Sequence, residues 1–195
     1  MPRILRIINR FNLGGPTYNA AYLTRYMPSE YETMLLGGMK DETEDSSQFI
    51  VENLGITPVV LDEMQREINL KRDYAAFKQI QKIIHDFKPD VVHTHASKPG
   101  ALGRWAAHQM GVKVIVHTFH GHVFHSYFNP AKTKFYKHLE RKLASVSTKI
   151  IAISEKQKLE LSKEHKICEP NKIEVIPLGF DLDRFQEGID KKREV

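Results

Sequence analysis

Residues 112–124, which read VKVIVHTFHGHVF, carry the chain from an apolar run into a polar bend. The valines and isoleucine of 112–116 predict a buried strand. Gly121 stands between His120 and His122 and predicts a bend where the chain leaves the sheet, because glycine packs nothing inside a strand and costs backbone entropy. In open parallel sheets, ligands bind outside the carboxyl ends of the strands. The segment after residue 116 is therefore the first place to expect a ligand.

Short apolar runs alternate with longer amphipathic stretches along the rest of the chain. Near-continuous apolar strands separated by helices are typical of a parallel sheet covered on both faces. The predicted fold class is α/β, a doubly wound, Rossmann-like parallel sheet. One domain is expected over residues 1–182, with a polar linker or tail over 183–195. Strands are predicted at 4–8, 31–36, 57–61, 90–94, 113–118, 149–153 and 173–176, with helices between them and an exposed loop at 62–72.

Composition limits the class of protein. The 195 residues are 41% hydrophobic and 27% charged, which is ordinary for a globular protein. The single Cys168 excludes an internal disulfide framework, and no apolar run is long enough to span a bilayer. A reducing cytoplasm fits best. The net charge of +5 is compatible with phosphates, anionic lipid or nucleic acid as partners, and a solvated surface explains it equally well.

The turn after the first strand reads Gly14-Gly15-Pro16. Gly15 allows a backbone or a phosphate to approach closely, and Pro16 suits the first turn of a helix, where no amide donor is needed. Free amides at a helix start can bind an anion. The chain holds neither G-x-G-x-x-G nor a Walker lysine, so a tight strand-to-helix turn is an equally good interpretation.

A second polar strand end follows at residues 93–104, which read HTHASKPGALGR. His93 and His95 project to the same side of a strand. Ser97 is predicted to cap the following helix, and Gly100 and Gly103 are predicted to let that helix pack closely. Taken alone, this segment is explained by a polar strand end followed by a capped helix, without a ligand.

Eight of the ten histidines lie between His93 and His138, which raises the possibility of a metal site. His93, His95, His120 and His122 could supply a tetrahedral set. The chain offers no neighbouring cysteine and no H-E-x-x-H, so we expect no metal.

A cluster of basic residues is predicted on the polar side of a helix over 131–142. The cluster is explained either as a solvated face or as a surface attracted to anionic membrane lipid. Its members are Lys132, Lys134, Lys137, Arg141 and Lys142.

Five segments in order resemble one family. They are Gly14-Gly15 after the first strand, HTHASKPGALGRWAA from residue 93, HTFHGHVF from 117, IIAISEKQK from 150 and IEVIPLGFDLDRF from 173. This order resembles the amino-terminal domain of retaining, nucleotide-sugar-dependent glycosyltransferases of GT-B fold, especially bacterial enzymes that build capsule, exopolysaccharide or lipopolysaccharide. The resemblance covers nearly the whole chain.

The resemblance implies roles for individual residues. Gly14 and Gly15 would lie beside the diphosphate of a nucleotide-sugar donor, and His120 would contact the donor sugar near the reacting carbon. Ser97 and Lys98 would meet a lipid-linked or oligosaccharide acceptor, with Gly121 and His122 also binding substrate. The family needs no cofactor or metal besides the donor, and nucleic acid is not among its partners.

Two departures from the family pattern qualify these expectations. Pro16 replaces the small or β-branched residue that usually follows the paired glycines. The chain also stops where the family's donor-binding domain would begin, so half an enzyme is expected, in the cytoplasm or at the inner face of the membrane. Two alternatives stay open: a non-catalytic acceptor-binding or membrane-docking module working with a separate donor-binding chain, and a metal-dependent hydrolase using the histidines.

Overall fold

The computed structural model describes residues 1–12, 14–38, 48–65, 67–121 and 129–179. The predicted boundary at residue 182 and the tail 183–195 lie outside these ranges. The strands are β1 (Arg3–Arg10), β2 (Glu32–Gly38), β3 (Val59–Leu61), β4 (Val91–His95), β5 (Val114–Phe119), β6 (Lys149–Ala152) and β7 (Ile173–Val175). The helices are α1 (Gly15–Arg25), α2 (Gln48–Asn53), α3 (Leu70–Phe87), α4 (Ser97–Gln109), α5 (Pro130–Val146) and α6 (Glu155–Leu159), and α6 continues as a π-helical turn over Glu160–Glu164.

The described strands form one sheet of seven, in the order β3-β2-β1-β4-β5-β6-β7, and every neighbouring pair is parallel. The predicted doubly wound α/β fold is confirmed. Because β1 pairs with β2 on one side and β4 on the other, the strand order reverses between β1 and β4. A reversal of this kind opens a crevice at the carboxyl edge of the sheet.

Helices cover the sheet on both faces. On one face α3 and α4 pack over β1, β4 and β5, with Leu5, Val92 and Ile80 among the fully buried residues. On the opposite face α1 and α2 cover β1 and β2 through Ile8 and Leu35. The helix α5 extends the first layer over β5 and β6.

Glycines on α4 bring that helix close to the sheet, as predicted. A methyl group built on Gly103 would lie 2.7 Å from Cγ2 of Thr94, and one built on Gly100 would lie 2.6 Å from Cε1 of His117. Either contact is too close for a real Cβ atom, so α4 requires glycine at both positions.

The segment 62–72 agrees only in part with its prediction as an exposed loop, since residues 67–72 are exposed but Met64 is buried and α3 begins inside the segment. Met64 is fully buried, and the carbonyl of Met64 would lie 1.7 Å from a methyl group built on Gly38. The helix α3 already begins at Leu70, because Oδ1 of Asn69 accepts hydrogen bonds from the amides of Lys71 and Arg72. The sequence of 62–72 has no clear apolar period, so it predicts neither the burial of Met64 nor the cap at Asn69.

No helix among the described ranges is long and apolar enough to cross a bilayer.

Candidate functional site at the carboxyl edge of the sheet

Three predicted segments lie side by side at the carboxyl edge. The turn with Gly14 and Gly15 follows β1, Ser97 and Lys98 follow β4, and His120 follows β5. Since β1, β4 and β5 are consecutive neighbours in the sheet, the fold brings the three segments to one edge, around the reversal of strand order.

The turn after β1 is open at Gly15, the first residue of α1. The carbonyl of Gly14 accepts from the amides of Thr17 and Tyr18, which fixes the start of the helix. A methyl group built on Gly15 would meet nothing within 4 Å. Packing within the described residues therefore does not explain glycine here, whereas close approach of a ligand to the backbone would.

His120 forms a pair with His95, the last residue of β4. Nδ1 of His95 lies 2.9 Å from Nε2 of His120, and the two rings stack with centroids 5.2 Å apart. His95 is fully buried and His120 is half-buried. The two atoms that remain, Nε2 of His95 and Nδ1 of His120, are buried and have no hydrogen-bond partner among the described residues. Buried polar atoms rarely stay unpaired, so these two mark a place where a ligand or water is expected.

Both rings are neutral near pH 7. Burial lowers the pKa of His120 to about 4 and lowers the pKa of His95 well below its usual value, with His93 and His120 adding to the effect on His95. A single hydrogen therefore lies between the two facing nitrogens, and its position determines the tautomer of each ring. If His95 donates, Nδ1 of His120 carries a hydrogen, and if His120 donates, Nδ1 of His120 is an acceptor. The pair can thus meet either polarity of a hydroxyl group without adding charge.

His93 and Arg6 lie below the pair on the same face of the sheet. Nε2 of His93 lies 2.8 Å from Oγ1 of Thr118, and the rings of His93 and His95 are 4.2 Å apart. Burial, with the charges of Arg6 and His120, lowers the pKa of His93 to about 3. Arg6 is itself buried, and burial lowers its pKa to about 10. The only sign of Arg6 in the sequence is a charge inside an apolar strand.

Ala96 has a strained backbone next to this cluster. Its φ of 66° and ψ of 167° fall in a region that only glycine adopts readily. Strain of this kind persists only where the surroundings enforce it, and it concentrates at binding and catalytic sites. Nothing in the amino-acid pattern predicts a strained alanine.

Ser97 does not cap α4, and the prediction of a cap is wrong. The cap position is Ala96, which makes no side-chain hydrogen bond, and Ser97 is the first helical residue. The physical reason is the backbone of Ala96, which turns sharply enough to start the helix one residue early. Ser97 is exposed at the edge instead.

Lys98 is held by the neighbouring segment. Its Nζ lies 2.5 Å from Oδ1 of Asp73 and donates to the carbonyls of Gln65 and Glu67, at 2.8 and 2.5 Å. The ion pair is largely buried, which makes it stronger than a pair in open solvent. Lys98 therefore joins the start of α4 to the start of α3 and to the chain before it.

The remaining predicted site residues are placed as follows. Gly121 has a φ of 156° and is exposed beyond β5, whereas His122 lies outside the described residues. The described His, Cys, Asp and Glu side chains form no group of three that could hold a metal. His117 faces away from His93 and His95, toward Gly100 of α4, and its Nδ1 lies 2.8 Å from Oγ1 of Thr94 on the neighbouring strand β4.

The predicted basic helix is α5. Lys132, Lys134 and Lys142 are exposed on it, and Phe135 is exposed among them. Arg141 turns toward the protein and donates to the carbonyls of His165 and Lys166. The helix thus presents exposed lysines around the ring of Phe135, whereas the guanidinium group of Arg141 is occupied by contacts within the fold.

Comparisons with known proteins match this fold and sequence. A family model described as Glycosyltransferase Family 4 matches residues 13–184. The chain is 39% identical over 126 residues to UDP-Gal:alpha-D-GlcNAc-diphosphoundecaprenol alpha-1,3-galactosyltransferase of Escherichia coli, covering 65% of this chain and 32% of that protein. The chain thus spans about a third of this relative.

Solved structures show the same fold. A glycosyltransferase from Rickettsia africae has a TM-score of 0.62 at 21% identity, over 100% of this chain and 51% of that one. The UDP-GlcNAc 2-epimerase of Methanocaldococcus jannaschii has a TM-score of 0.67 at 17% identity, over 99% of this chain and 51% of that one. MurG of Acinetobacter baumannii has a TM-score of 0.61 at 10% identity, over 93% of this chain and 46% of that one. The predicted amino-terminal, GT-B-like domain is confirmed, and this chain spans about half of each of these structures.

Proposed function

The chain belongs to glycosyltransferase family 4, and we propose that it is the acceptor-binding half of a retaining sugar transferase. The donor is a nucleotide sugar and the acceptor is lipid-linked or a saccharide. Fold alone does not separate transferases from epimerases, since both occur among the similar structures. The family match and the relative that acts on a diphosphoundecaprenol-linked sugar favour transfer.

The observation that carries this proposal is the neutral His95–His120 pair at the carboxyl edge. A half-buried imidazole with its Nδ1 unpaired is suited to hydrogen-bond a sugar hydroxyl. Its low pKa keeps the ring uncharged at neutral pH. His120 would hold the donor sugar, and His95 would fix the tautomer and the orientation of the His120 ring.

The donor diphosphate would approach Gly14 and Gly15 at the start of α1. Backbone amides at a helix start stabilise negative charge that develops on a leaving diphosphate. Open space at Gly15 supports this assignment. In the proposed scheme the departing diphosphate also helps to deprotonate the acceptor on the same face of the sugar, and amides and basic side chains take the role that a metal or cofactor has elsewhere.

The acceptor would lie toward Ser97, Gly121 and His122, with a separate domain or chain binding the nucleotide. Lys98 would act here mainly by holding the start of α3 against α4, since Asp73 and two carbonyls already occupy its ammonium group. The relative's acceptor carries a polyprenyl diphosphate, so we place the chain in the cytoplasm at the inner face of the membrane. The exposed lysines of α5 over 131–142 would face that surface.

Calorimetric titration tests whether the chain binds the acceptor or the nucleotide-sugar donor. We expect saturable binding of a GlcNAc-diphosphate lipid analogue and no detectable binding of UDP- or GDP-sugars. Saturable binding of a nucleotide sugar without binding of the acceptor analogue would contradict the assigned half.

Transfer by the full-length protein tests His120. His120→Ala should lower kcat/KM by about a hundredfold, the effect of losing one well-placed polar contact to the reacting group. The matched control is His108→Ala, because His108 is exposed on α4 away from the pair. Equal rates for the two variants would remove His120 from the mechanism.

A further inference from the structure

Three large apolar side chains are exposed together where α3 begins. Ile68 is 70% exposed, Leu70 84% and Tyr74 63%. Single exposed apolar residues are normal on a soluble protein, but a contiguous group needs an explanation. These three fall within seven residues of sequence: Ile68 precedes α3, and Leu70 and Tyr74 lie one turn apart at its start, outside the buried stripe of Ala76, Ile80 and Ile84.

The exposed charges on the first turns of α3 are basic. Lys71, Arg72 and Lys78 are exposed, and Nζ of Lys78 lies 5.7 Å from the centroid of the Tyr74 ring. The acidic residues of 67–80 are Glu67 and Asp73, and Asp73 is paired with Lys98. The exposed surface therefore combines apolar side chains with a positive charge.

Neither feature stabilises the fold. Lys71 and Arg72 lie in the first turn of α3, where the positive end of the helix dipole disfavours cations. Leu70, at its degree of exposure, contributes little burial to the core. A basic and apolar helix start is, however, the composition that binds the interface of an anionic membrane.

The position of this surface suits a membrane-bound substrate. In this fold α3 and α4 both begin at the carboxyl edge of the sheet, and Lys98 connects their first turns through Asp73. The surface therefore borders the acceptor side of the candidate site. Docking there would bring a lipid-linked head group to the edge without removing its chain from the bilayer.

We propose that Ile68, Leu70 and Tyr74, with Lys71 and Arg72, form a membrane anchor that docks on an anionic phospholipid bilayer. The apolar side chains enter the interface, and the two cations face the phosphates of the lipid head groups. This α3 anchor rests on the proposed function, since it presumes an acceptor held in a membrane. It is distinct from the lysines of α5.

The test is co-sedimentation of the chain with vesicles that contain phosphatidylglycerol and no polyprenyl lipid. We expect binding to these vesicles, weaker binding as salt is raised, and little binding to phosphatidylcholine alone. Ile68→Ser with Leu70→Ser should reduce the partition coefficient at least about tenfold. Lys71→Gln with Arg72→Gln should reduce it by about twenty-fivefold, at roughly fivefold for each charge near the surface.

Matched controls use exposed residues elsewhere on the molecule. Phe49→Ser with Leu159→Ser removes two apolar side chains that are 50% and 49% exposed, and Lys113→Gln removes an exposed charge before β5. Each control should bind vesicles as the unchanged chain does. Thermal unfolding should show that all variants keep the fold, because every substituted side chain is exposed.

The outcomes separate this proposal from the proposed function. Vesicle binding that is absent, or that survives both anchor variants, would overturn the anchor while transfer to a soluble acceptor analogue remained intact. A dimer that Ile68→Ser with Leu70→Ser converts to a monomer would identify the surface as a contact between copies and also overturn it. Loss of transfer to the soluble analogue with normal vesicle binding would instead overturn the proposed function.

Discussion

Two buried arginines on opposite faces of the sheet are held in different ways. Arg104 on α4 donates from Nη2 to Oε2 of Glu140 at 2.7 Å and from Nε to the carbonyl of Gly100 at 2.8 Å. Arg6 on β1 makes a long 3.4 Å contact from Nη1 to Oγ1 of Thr24, and in the described part of the chain its Nε has no partner. The described residues offer Arg6 no carboxylate within ion-pair distance. One charge is compensated and the other is not.

The difference separates a structural cluster from a functional one. The pair of Arg104 and Glu140 ties α4 to α5, a role that the fold itself explains. Arg6 lies beside His93 and lowers its pKa, and the same face carries the unpaired atoms of His95 and His120. A buried charge without a partner is destabilising, so this face is not arranged for stability alone. The strain at Ala96 adds to that cost.

Breaking the pair of Arg104 and Glu140 should have the largest effect on the free energy of unfolding. Glu140→Gln leaves the Arg104 charge buried without a carboxylate and should lower the free energy of unfolding by about 3–5 kcal/mol. Urea denaturation of the unchanged chain and the variant measures the difference. Replacing both residues, Arg104→Met with Glu140→Leu, should recover most of the loss, because no charge is then left buried. A double variant as unstable as Glu140→Gln would contradict this account.

Acid should destabilise the protein through the histidines. The pKa of His93 is about 3 in the folded chain and about 6.5 when unfolded, so the unfolded state binds the proton first as pH falls. The stability present above about pH 6.5 is lost on the way down, by about 2 kcal/mol at about pH 5 for this residue. His95 and His117 act in the same direction.

Denaturation at about pH 7.5 and about pH 5 measures the acid effect. His93→Gln should reduce the loss by the share of His93, whereas His108→Gln, at an exposed position, should leave it unchanged. Equal stability at the two pH values would show that these rings are not held neutral.

The sequence predicted the sheet because strands and helices have strong periodic signals. Apolar runs such as 113–118 and the stripe of Ile80 and Ile84 depend on burial, which the pattern records directly. The close packing of α4 at Gly100 and Gly103 was also predictable, because small residues inside a predicted helix indicate a close approach to a neighbouring element. The path of 62–72 was not, since a single buried Met64 leaves no period.

The candidate site was less predictable than the fold. The pattern located the carboxyl ends of β4 and β5, but the pairing of His95 with His120 depends on strand register, which the sequence alone does not give. Lys98 was predicted to meet the acceptor, and its hold on Asp73 arises from a contact 25 residues distant in sequence. Whether Gly14, Gly15, Ser97 and Gly121 bind substrate stays a prediction.

Relief of strain should change stability less than breaking the pair of Arg104 and Glu140 or protonating the histidines. Ala96→Gly places glycine where φ is 66° and should raise the free energy of unfolding by about 1 kcal/mol, the relieved strain less the added entropy of the unfolded chain. Ala101→Gly, inside α4, should lower it by a similar amount. If both substitutions destabilise the protein equally, the backbone of Ala96 is not strained.

Removing the uncompensated arginine should change stability least. Arg6→Met keeps a long side chain between β1 and α1 and removes a charge that has no carboxylate. We expect that gain to be offset by the lost contact with Thr24 and the altered packing, so the free energy of unfolding should change by less than about 1 kcal/mol. The pKa of His93 should rise, because the positive charge of Arg6 is one of the causes that lower it. Nuclear magnetic resonance titration of the histidine ring reports that shift. A loss as large as that of Glu140→Gln would mean that Arg6 is compensated after all, and the two faces would then be alike. A stable variant with a raised pKa would show that Arg6 acts on the histidines rather than on the fold.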